Sequence, residues 1–220
     1  MRRGTGEVRR LILDTLVVGA LQTNCYILGC PNTREALVID PGAEAELIGS
    51  TLDKHGLKLK TVVLTHGHAD HIGACGELRR EPGVTLAIHR EDAPLLSDTH
   101  RNLTAYIGPP LTLSAAETLL GDGDRVEFGA GIQLTVLHTP GHTRGSICLL
   151  GEGFLFSGDT LFAGAVGRTD FPGGDFKTLI ASLKNRLEPL PDDTRVYPGH
   201  GPASTMGVEK RENPYLTTEW

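Results

Sequence analysis

Short apolar runs separated by turn residues recur along the chain and predict β-strands. Apolar and polar positions alternate roughly in residues 11–18 and 24–28, with turn residues 22–24 near their junction, which is typical of a hairpin of half-buried strands. Residues 36–39 and 61–64 are instead apolar on both faces, so we expect them inside a sheet that is covered on each side.

Helical spacing appears between these two buried runs. Residues 43–55 place apolar side chains on one side and stop before Gly56, a natural helix end. A strand, a helix and a second strand in this order predict a right-handed parallel crossover. Further along we expect a helix over 74–80, a strand over 85–88 and a short helix over 92–96.

The second half of the chain predicts another sheet. Short strand patterns separated by glycine-bearing turns are typical of antiparallel pairing, and they cover residues 125–128, 132–137, 146–150, 154–156 and 195–197. Periodicity fails in residues 97–123, which we expect to form an irregular excursion over one edge and one wall of a substrate cleft. His100 and Tyr106 in this excursion could line that wall, but exposed loop positions are the favoured interpretation, and His89 before it is interpreted as a surface residue.

Four potential metal ligands follow the buried run 61–64 within six positions. They are His66, His68, Asp70 and His71, and Gly67 allows a tight turn between the first two. Open α/β sheets place their chemistry at the carboxyl ends of strands, so these side chains are candidates for two ion sites. A histidine-rich surface loop or one structural zinc is the alternative, although structural zinc usually takes cysteines and none lies inside this cluster.

Three later junctions repeat the arrangement of a strand end, a glycine and a ligand. They place His142, Asp159 and His200 in loops after predicted strands. Asp40 also ends a strand, where a carboxylate would cap the turn that follows. His138 is interpreted as a strand-end histidine whose hydrogen bonds are satisfied locally.

Composition limits the classes of partner. The 220 residues suit one domain, 1–220, and a hydrophobic content of 39% with 22% charged residues is ordinary for a globular protein. A net charge of −6 without a basic stripe argues against nucleic acid. The basic segment 1–10 leads into an apolar run too short for a signal region or membrane span, so we expect a cytoplasmic protein without membrane contact. Four cysteines lacking CxxC spacing predict free thiols.

The His-x-His-x-Asp-His motif, followed in order by the three later junctions, resembles the metallo-β-lactamase superfamily and, within it, the glyoxalase II branch. From residue 11 to 216 the resemblance implies a four-layer αβ/βα sandwich of the α/β class. It also implies catalytic carboxylates at Asp70 and Asp159 and support of the site by Asp40. The implied ligand sets are His66, His68 and His142 for one metal, Asp70, His71 and His200 for the other, and Asp159 as the bridge.

Imidazole and carboxylate ligands without thiolate suit zinc first, with iron or manganese also possible. Two divalent ions with a bridging hydroxide would hydrolyse a small-molecule substrate, and the resemblance points to an acyl thioester such as hydroxyacylglutathione. Arg168 resembles the basic position that holds the peptide part of the thiol carrier; the alternative is a structural loop residue. Only 20 residues follow His200, as in the short single-domain bacterial hydrolases of this branch, so the carrier itself stays open.

Other functions share parts of this pattern. A persulfide dioxygenase would hold one iron with His66, His142 and Asp159, but the compact Gly-His-Gly around His200 favours hydrolysis. The commonest zinc β-lactamases resemble this chain less, because they carry cysteine where Asp159 stands and are exported. The acidic balance disfavours a nuclease, and seven ligands exceed what a non-catalytic metal-binding module needs. The oligomeric state stays open.

Overall fold

The computed structural model describes residues 11–218, in which two six-stranded sheets pack face to face. The strands of the first sheet lie side by side in chain order: β1 (Ile12–Val18), β2 (Thr23–Gly29), β3 (Glu35–Ile39), β4 (Lys58–Val63), β5 (Thr85–His89) and β6 (Thr118–Leu120). Strands β1, β2 and β3 are antiparallel neighbours, and β3 to β6 run parallel. The predicted hairpin and the parallel crossover are both present.

The strands of the second sheet are, in chain order, β7 (Arg125–Phe128), β8 (Ile132–His138), β9 (Ile147–Gly151), β10 (Phe154–Gly158), β11 (Arg195–Pro198) and β12 (Ser204–Thr205). The sheet is antiparallel except where β10 runs parallel to β11. All five strands predicted in this half occur, and a two-residue strand joins them at one edge.

Helices cover the outer faces of both sheets. The helix expected over 74–80 is shorter, since the chain forms two separate four-residue helices in this region. The chain between them passes through Gly73, where a Cβ would lie 2.1 Å from the Gly42 carbonyl oxygen. The helices are α1 (Ala45–Lys54), α2 (Ala69–Ile72), α3 (Cys75–Leu78), a 3₁₀ turn (Ala93–Ser97), α4 (Thr104–Ile107), α5 (Phe176–Ser182) continuing into a π-helical turn (Leu183–Leu187), α6 (Met206–Glu212) and α7 (Pro214–Thr217).

The core has three layers, which the alternation of side chains along β3 illustrates. Leu37 and Ile39 point between the two sheets, whereas Ala36 and Val38 point towards α1. A third cluster fills the space between the second sheet and the C-terminal helices. Helix, sheet, sheet and helix layers therefore follow one another, and the predicted four-layer αβ/βα sandwich is confirmed.

Several local expectations need correction. The turn of the first hairpin lies before Thr23, which already belongs to β2. The excursion 97–123 is more ordered than predicted, because it supplies α4 and β6. His89 is buried instead of exposed, since its ring stacks on that of His138 with centroids 4.1 Å apart.

Other expectations hold or fall outside the structure. All four cysteines are free thiols and buried, as predicted. No helix within residues 11–218 is both long and apolar enough to cross a bilayer. The basic segment 1–10 lies outside the described residues.

Candidate functional site

Side chains from both sheets meet at one edge of the molecule. The loop after β4 carries the histidine-rich motif, and the loops after β8, β10 and β11 carry one ligand candidate each. The sheets are joined here by the Ile147 amide, which donates to the Thr65 carbonyl (2.9 Å), and by the Asn24 amide, which donates to the Gly199 carbonyl (2.7 Å). The structure thus brings together all seven predicted ligands, from positions up to 134 residues apart.

Three buried imidazoles form the first group. His142 Nε2 lies 3.2 Å from His66 Nε2 and 3.0 Å from His68 Nδ1. Nitrogens bound to one tetrahedral zinc at 2.0–2.1 Å lie roughly 3.3–3.4 Å apart, so this spacing fits a shared ion.

A second group combines one carboxylate with two imidazoles. Asp70 Oδ2 lies 3.5 Å from His71 Nε2 and 3.1 Å from His200 Nε2. The Thr23 hydroxyl donates to the same oxygen (3.1 Å) and fixes the carboxylate in its rotamer. Oxygen and nitrogen donors of this kind could hold a divalent ion.

Asp159 lies between the two groups. Its Oδ1 is 3.4 Å from His71 Nε2, and its Oδ2 is 3.6 Å from His142 Nε2. His71 Nε2 and Asp159 Oδ1 are both buried without a hydrogen-bond partner among the described residues. Unsatisfied buried polar atoms are costly, and a cation between them would remove that cost. The residues present therefore fit a pair of divalent ions.

The protonation states of these histidines and aspartates also suit metal binding. Burial, reinforced by neighbouring imidazoles, lowers the pKa of His66 well below its usual value and that of His68 to about 3, so both rings are neutral at pH 7. Burial opposes ionisation of Asp70 and Asp159, but His71 and His200 together, joined by His142 at Asp159, outweigh burial and lower the pKa of both carboxyls. Neutral imidazoles and ionised carboxylates are the forms that bind metals.

His71 behaves differently from the other rings. Burial alone would lower its pKa, but the carboxylates of Asp70, Asp159 and Asp40 outweigh burial and raise the pKa well above the usual value. Without a cation, His71 would therefore carry a proton among three acidic groups. Metal binding would displace that proton.

Asp40 contacts the histidine-rich motif, where the resemblance implied a supporting carboxylate. The backbone amide and hydroxyl of Thr65 donate to its two oxygens (2.7 and 2.6 Å), and its Oδ2 lies 3.0 Å from His71 Nδ1. Asp40 has a φ of 51°, an uncommon left-handed conformation at the end of β3. These contacts fix the orientation of the His71 ring.

Glycines permit the close approach of the ligand loops. A Cβ on Gly199 would lie 2.2 Å from Asp159 Oδ1 and 2.9 Å from His71 Cε1. At Gly67 the need is also for space, because a Cβ there would lie 2.7 Å from Leu95 Cβ. The expectation that Gly67 serves a tight turn therefore misses its main constraint, which is packing.

Asp92 is a supporting residue that the sequence did not reveal. Its buried carboxylate accepts hydrogen bonds from the amides of Gly67 (3.0 Å) and Gly145 (2.7 Å) and from the Thr143 hydroxyl (2.7 Å). It thereby ties the His66–His68 loop to the loop that carries His142. Burial raises the pKa of Asp92, and these hydrogen bonds offset only part of the rise. No motif marks it, since it follows β5 after an ordinary polar segment.

Arg168 lies on the loop behind Asp159. Its backbone oxygen is 2.7 Å from His142 Nδ1, which orients that ring. Its exposed guanidinium makes a two-pronged pair with Asp170 (2.6 Å for both contacts) and covers the Phe171 ring at 4.0 Å from the centroid. The side chain therefore has both a loop-stabilising contact and a position at the edge of the site.

A cavity of about 520 Å³ opens over the ligands. The excursion forms part of its wall through Leu103 and Ile107, while His100 and Tyr106 contact each other at 3.2 Å and do not line it. Phe162, Val166 and Phe171 form the opposite wall, with Arg168 at its edge. Asp70 and Asp159 are the carboxylates that face this space.

Comparison with known proteins agrees with this geometry. The model of the metallo-beta-lactamase superfamily matches residues 18–200. The chain is 36% identical over 210 residues to hydroxyacylglutathione hydrolase GloC of Haemophilus influenzae, covering 94% of this chain and 99% of that protein.

Two solved structures are similar over nearly the whole chain. BLEG-1 B3 metallo-beta-lactamase has a TM-score of 0.89 at 37% identity, covering 94% of this chain and 100% of that one. A di-iron-bound form of TTHA1623 has a TM-score of 0.80 at 38% identity, covering 92% and 100%. The chain belongs to the metallo-β-lactamase superfamily, as its motif predicted, and its general class of activity is that of a metal-dependent hydrolase.

Proposed function

We propose that this protein hydrolyses acyl thioesters, such as hydroxyacylglutathione, with two divalent ions held at the edge of its two sheets. Zinc is the metal that we expect first, and iron is the alternative because a similar structure has a di-iron-bound form. The proposed ligands are His66, His68 and His142 for one ion, Asp70, His71 and His200 for the other, and Asp159 for both.

The position of Asp159 carries this proposal. Its two oxygens lie at similar distances, 3.4 and 3.6 Å, from an imidazole of each ligand group. One carboxylate can thus contact both ions, which suits a centre that acts on one substrate group. When bound, such ions polarise a carbonyl and lower the pKa of a coordinated water.

The cavity suits a reaction that uses water as the nucleophile. No serine, threonine or cysteine occurs among the described residues that line it, and the four cysteines are buried elsewhere. In thioester hydrolysis, the water oxygen bonds to the carbonyl carbon and the carbon–sulfur bond breaks. The thiol leaves with a proton and the acyl group becomes a carboxylate. The named activity of the Haemophilus influenzae relative supports this substrate class.

A persulfide dioxygenase is the second candidate. His142 Nε2 lies within 3.6 Å of both His66 Nε2 and Asp159 Oδ2, so two histidines and one carboxylate could hold a single iron. Asp70, His71 and His200 form a second ligand group beside this one, and a pair of ions suits hydrolysis, which is why we favour it.

The test combines elemental analysis with a thioester assay. Protein folded with ample zinc should contain about two ions per chain, since each catalytic ion needs three or four ligands, and should release free thiol from S-D-lactoylglutathione. A β-lactam belongs in the same panel because of the similarity to BLEG-1. A firm content of one iron with no thiol release would favour the dioxygenase.

Arg168 is the proposed contact for an anionic part of the thiol carrier. Substituting alanine should raise KM about tenfold or more with kcat nearly unchanged, because the lost contact would hold the substrate equally in the ground state and in the transition state. Lysine should rescue only partly, since it lacks the two-pronged guanidinium. Steady-state kinetics on lactoylglutathione would measure this.

Asp170 provides an informative companion variant. Asp170→Asn removes the charge that competes for the guanidinium, so KM should fall slightly. Arg125→Ala, an exposed arginine on β7, should change neither constant. A normal KM in Arg168→Ala, or loss of metal, would assign Arg168 to loop structure alone.

A further inference from the structure

A second cavity, of about 330 Å³, opens beside the candidate metal centre. Four segments form its wall: the turn between β1 and β2, the loop at Gly42 and Ala43, residues 69–73, and residues 104–111. We call it the apolar lobe. It shares three lining residues with the first cavity, Leu21, Asp70 and Ile107, so the two cavities adjoin beside the candidate centre.

The lining of the lobe is almost entirely non-polar. Asp70, which faces the ligand cluster, is the one charged side chain among its described lining residues. The Thr104 hydroxyl is already satisfied, because it donates to Asn102 Oδ1 (2.8 Å) and accepts from the Leu111 amide (3.0 Å). Apart from Asp70, the side chains along this wall therefore offer a polar ligand no free partner, whereas they suit a hydrocarbon chain.

The mouth of the lobe also leaves large apolar side chains in water. Leu21 is 52% exposed and Ile107 is 55% exposed, and they face the junction of the two cavities. Covering such side chains with a non-polar ligand is favourable in proportion to the area buried. Convergent exposed apolar residues at a cavity mouth are typical of a ligand site.

We propose that the apolar lobe binds the acyl chain of the substrate, and that this chain is non-polar. This inference rests on the proposed thioesterase function and specifies its substrate class. The carbonyl of a thioester at the ligand cluster has two substituents, which must extend into different spaces. The side with Arg168 suits the charged thiol carrier, which leaves the lobe for the acyl chain.

The first test is a series of glutathione thioesters with acetyl, butyryl and hexanoyl groups, assayed with the zinc-loaded protein. Each added methylene should raise kcat/KM about three- to fourfold, until the lobe is filled. Hexanoylglutathione should therefore exceed acetylglutathione by on the order of a hundredfold. If all three thioesters are hydrolysed with the same kcat/KM, the lobe assignment is overturned and the thioesterase proposal stays intact.

Variants separate the lobe from general surface effects. Ile107→Ala should reduce the gain from acetyl to hexanoyl at least threefold, and Ala43→Leu should reduce it further by occupying space. Leu119→Ala is the matched control, since Leu119 is similarly exposed (53%) but lies on β6 outside both cavities. An equal loss in Leu119→Ala would contradict the assignment. Thermal unfolding checks that each variant is folded.

A binding measurement does not depend on turnover. Calorimetric titration of the zinc-loaded protein with hexanoate and acetate should show tighter hexanoate binding, by on the order of a hundredfold, with a more negative heat-capacity change. If no thioester is hydrolysed but hexanoate binds in this way, the thioesterase proposal fails and the lobe stands as an acyl site. Equal affinity for the two acids would refute the lobe.

Discussion

Asp159→Asn should lower kcat for thioester hydrolysis by about a thousandfold, equivalent to about 4 kcal/mol of activation free energy. The asparagine oxygen can face one ligand group, but its NH₂ must then face the other, where His71 Nε2 or His142 Nε2 lies within 3.6 Å. One amide cannot contact two cations, so metal content should fall from about two ions per chain towards one. Elemental analysis and the thiol-release assay measure both effects.

Asp170→Asn serves as the matched control for this change. Asp170 has the same chemistry and lies 11 positions away, but its carboxylate pairs with Arg168 outside the ligand cluster. It should retain two ions and full kcat. Wild-type activity with two bound ions in Asp159→Asn would rule out the dinuclear arrangement proposed above.

Asp92→Asn should destabilise the protein by about 3 kcal/mol although the two side chains have the same shape. Amides donate to both carboxylate oxygens, Gly145 to Oδ1 and Gly67 to Oδ2, so the NH₂ of asparagine must face an N–H in either orientation. A buried donor left without an acceptor costs about 1–3 kcal/mol. For a chain of this size the melting temperature should fall by about 6–12 °C.

Metal affinity should fall in the same variant. Asp92 holds the loops of the first histidine group together, and loss of such a supporting contact typically costs about 10- to 100-fold in affinity. Competition with a chromophoric chelator measures it. Asp98→Asn is the control, because both amides that Asp98 binds donate to one oxygen, and asparagine can keep them. If Asp92→Asn matches Asp98→Asn in stability and metal affinity, the tie between the loops has no energetic importance.

The ligand cluster could be predicted because its chemistry is concentrated in residue type and spacing. Two histidines two positions apart, followed by Asp70 and His71 after a buried strand, leave few alternatives. Strand-end glycines then identified His142, Asp159 and His200, and the structure brings all seven together. The four-layer order of the sandwich came from the resemblance to the superfamily, because the strand and helix patterns by themselves predict only a mixed α/β protein with metal ligands at strand ends.

Features that depend on tertiary contacts were not predictable from local pattern. Asp92 became a support because Gly67 and Gly145, more than 20 positions away on either side, present their amides to it. His89 is buried because His138 on the other sheet stacks on it. Helix α5 was overlooked although its local signal is clear: Leu179, Ile180 and Leu183 keep helical spacing, and Asp175, which accepts a hydrogen bond from the Thr178 amide, is a typical N-cap residue.

The meeting of the two sheets at the ligand cluster has a consequence for folding. His66, His68, Asp70 and His71 follow a strand of the first sheet, and His142, Asp159 and His200 follow strands of the second. Ions that bind across this boundary can do so only after both sheets have formed and docked, so their binding free energy adds to the docking step rather than to either half. The metal-loaded protein would thus unfold as one cooperative unit, whereas separation of the sheets would come first in its absence.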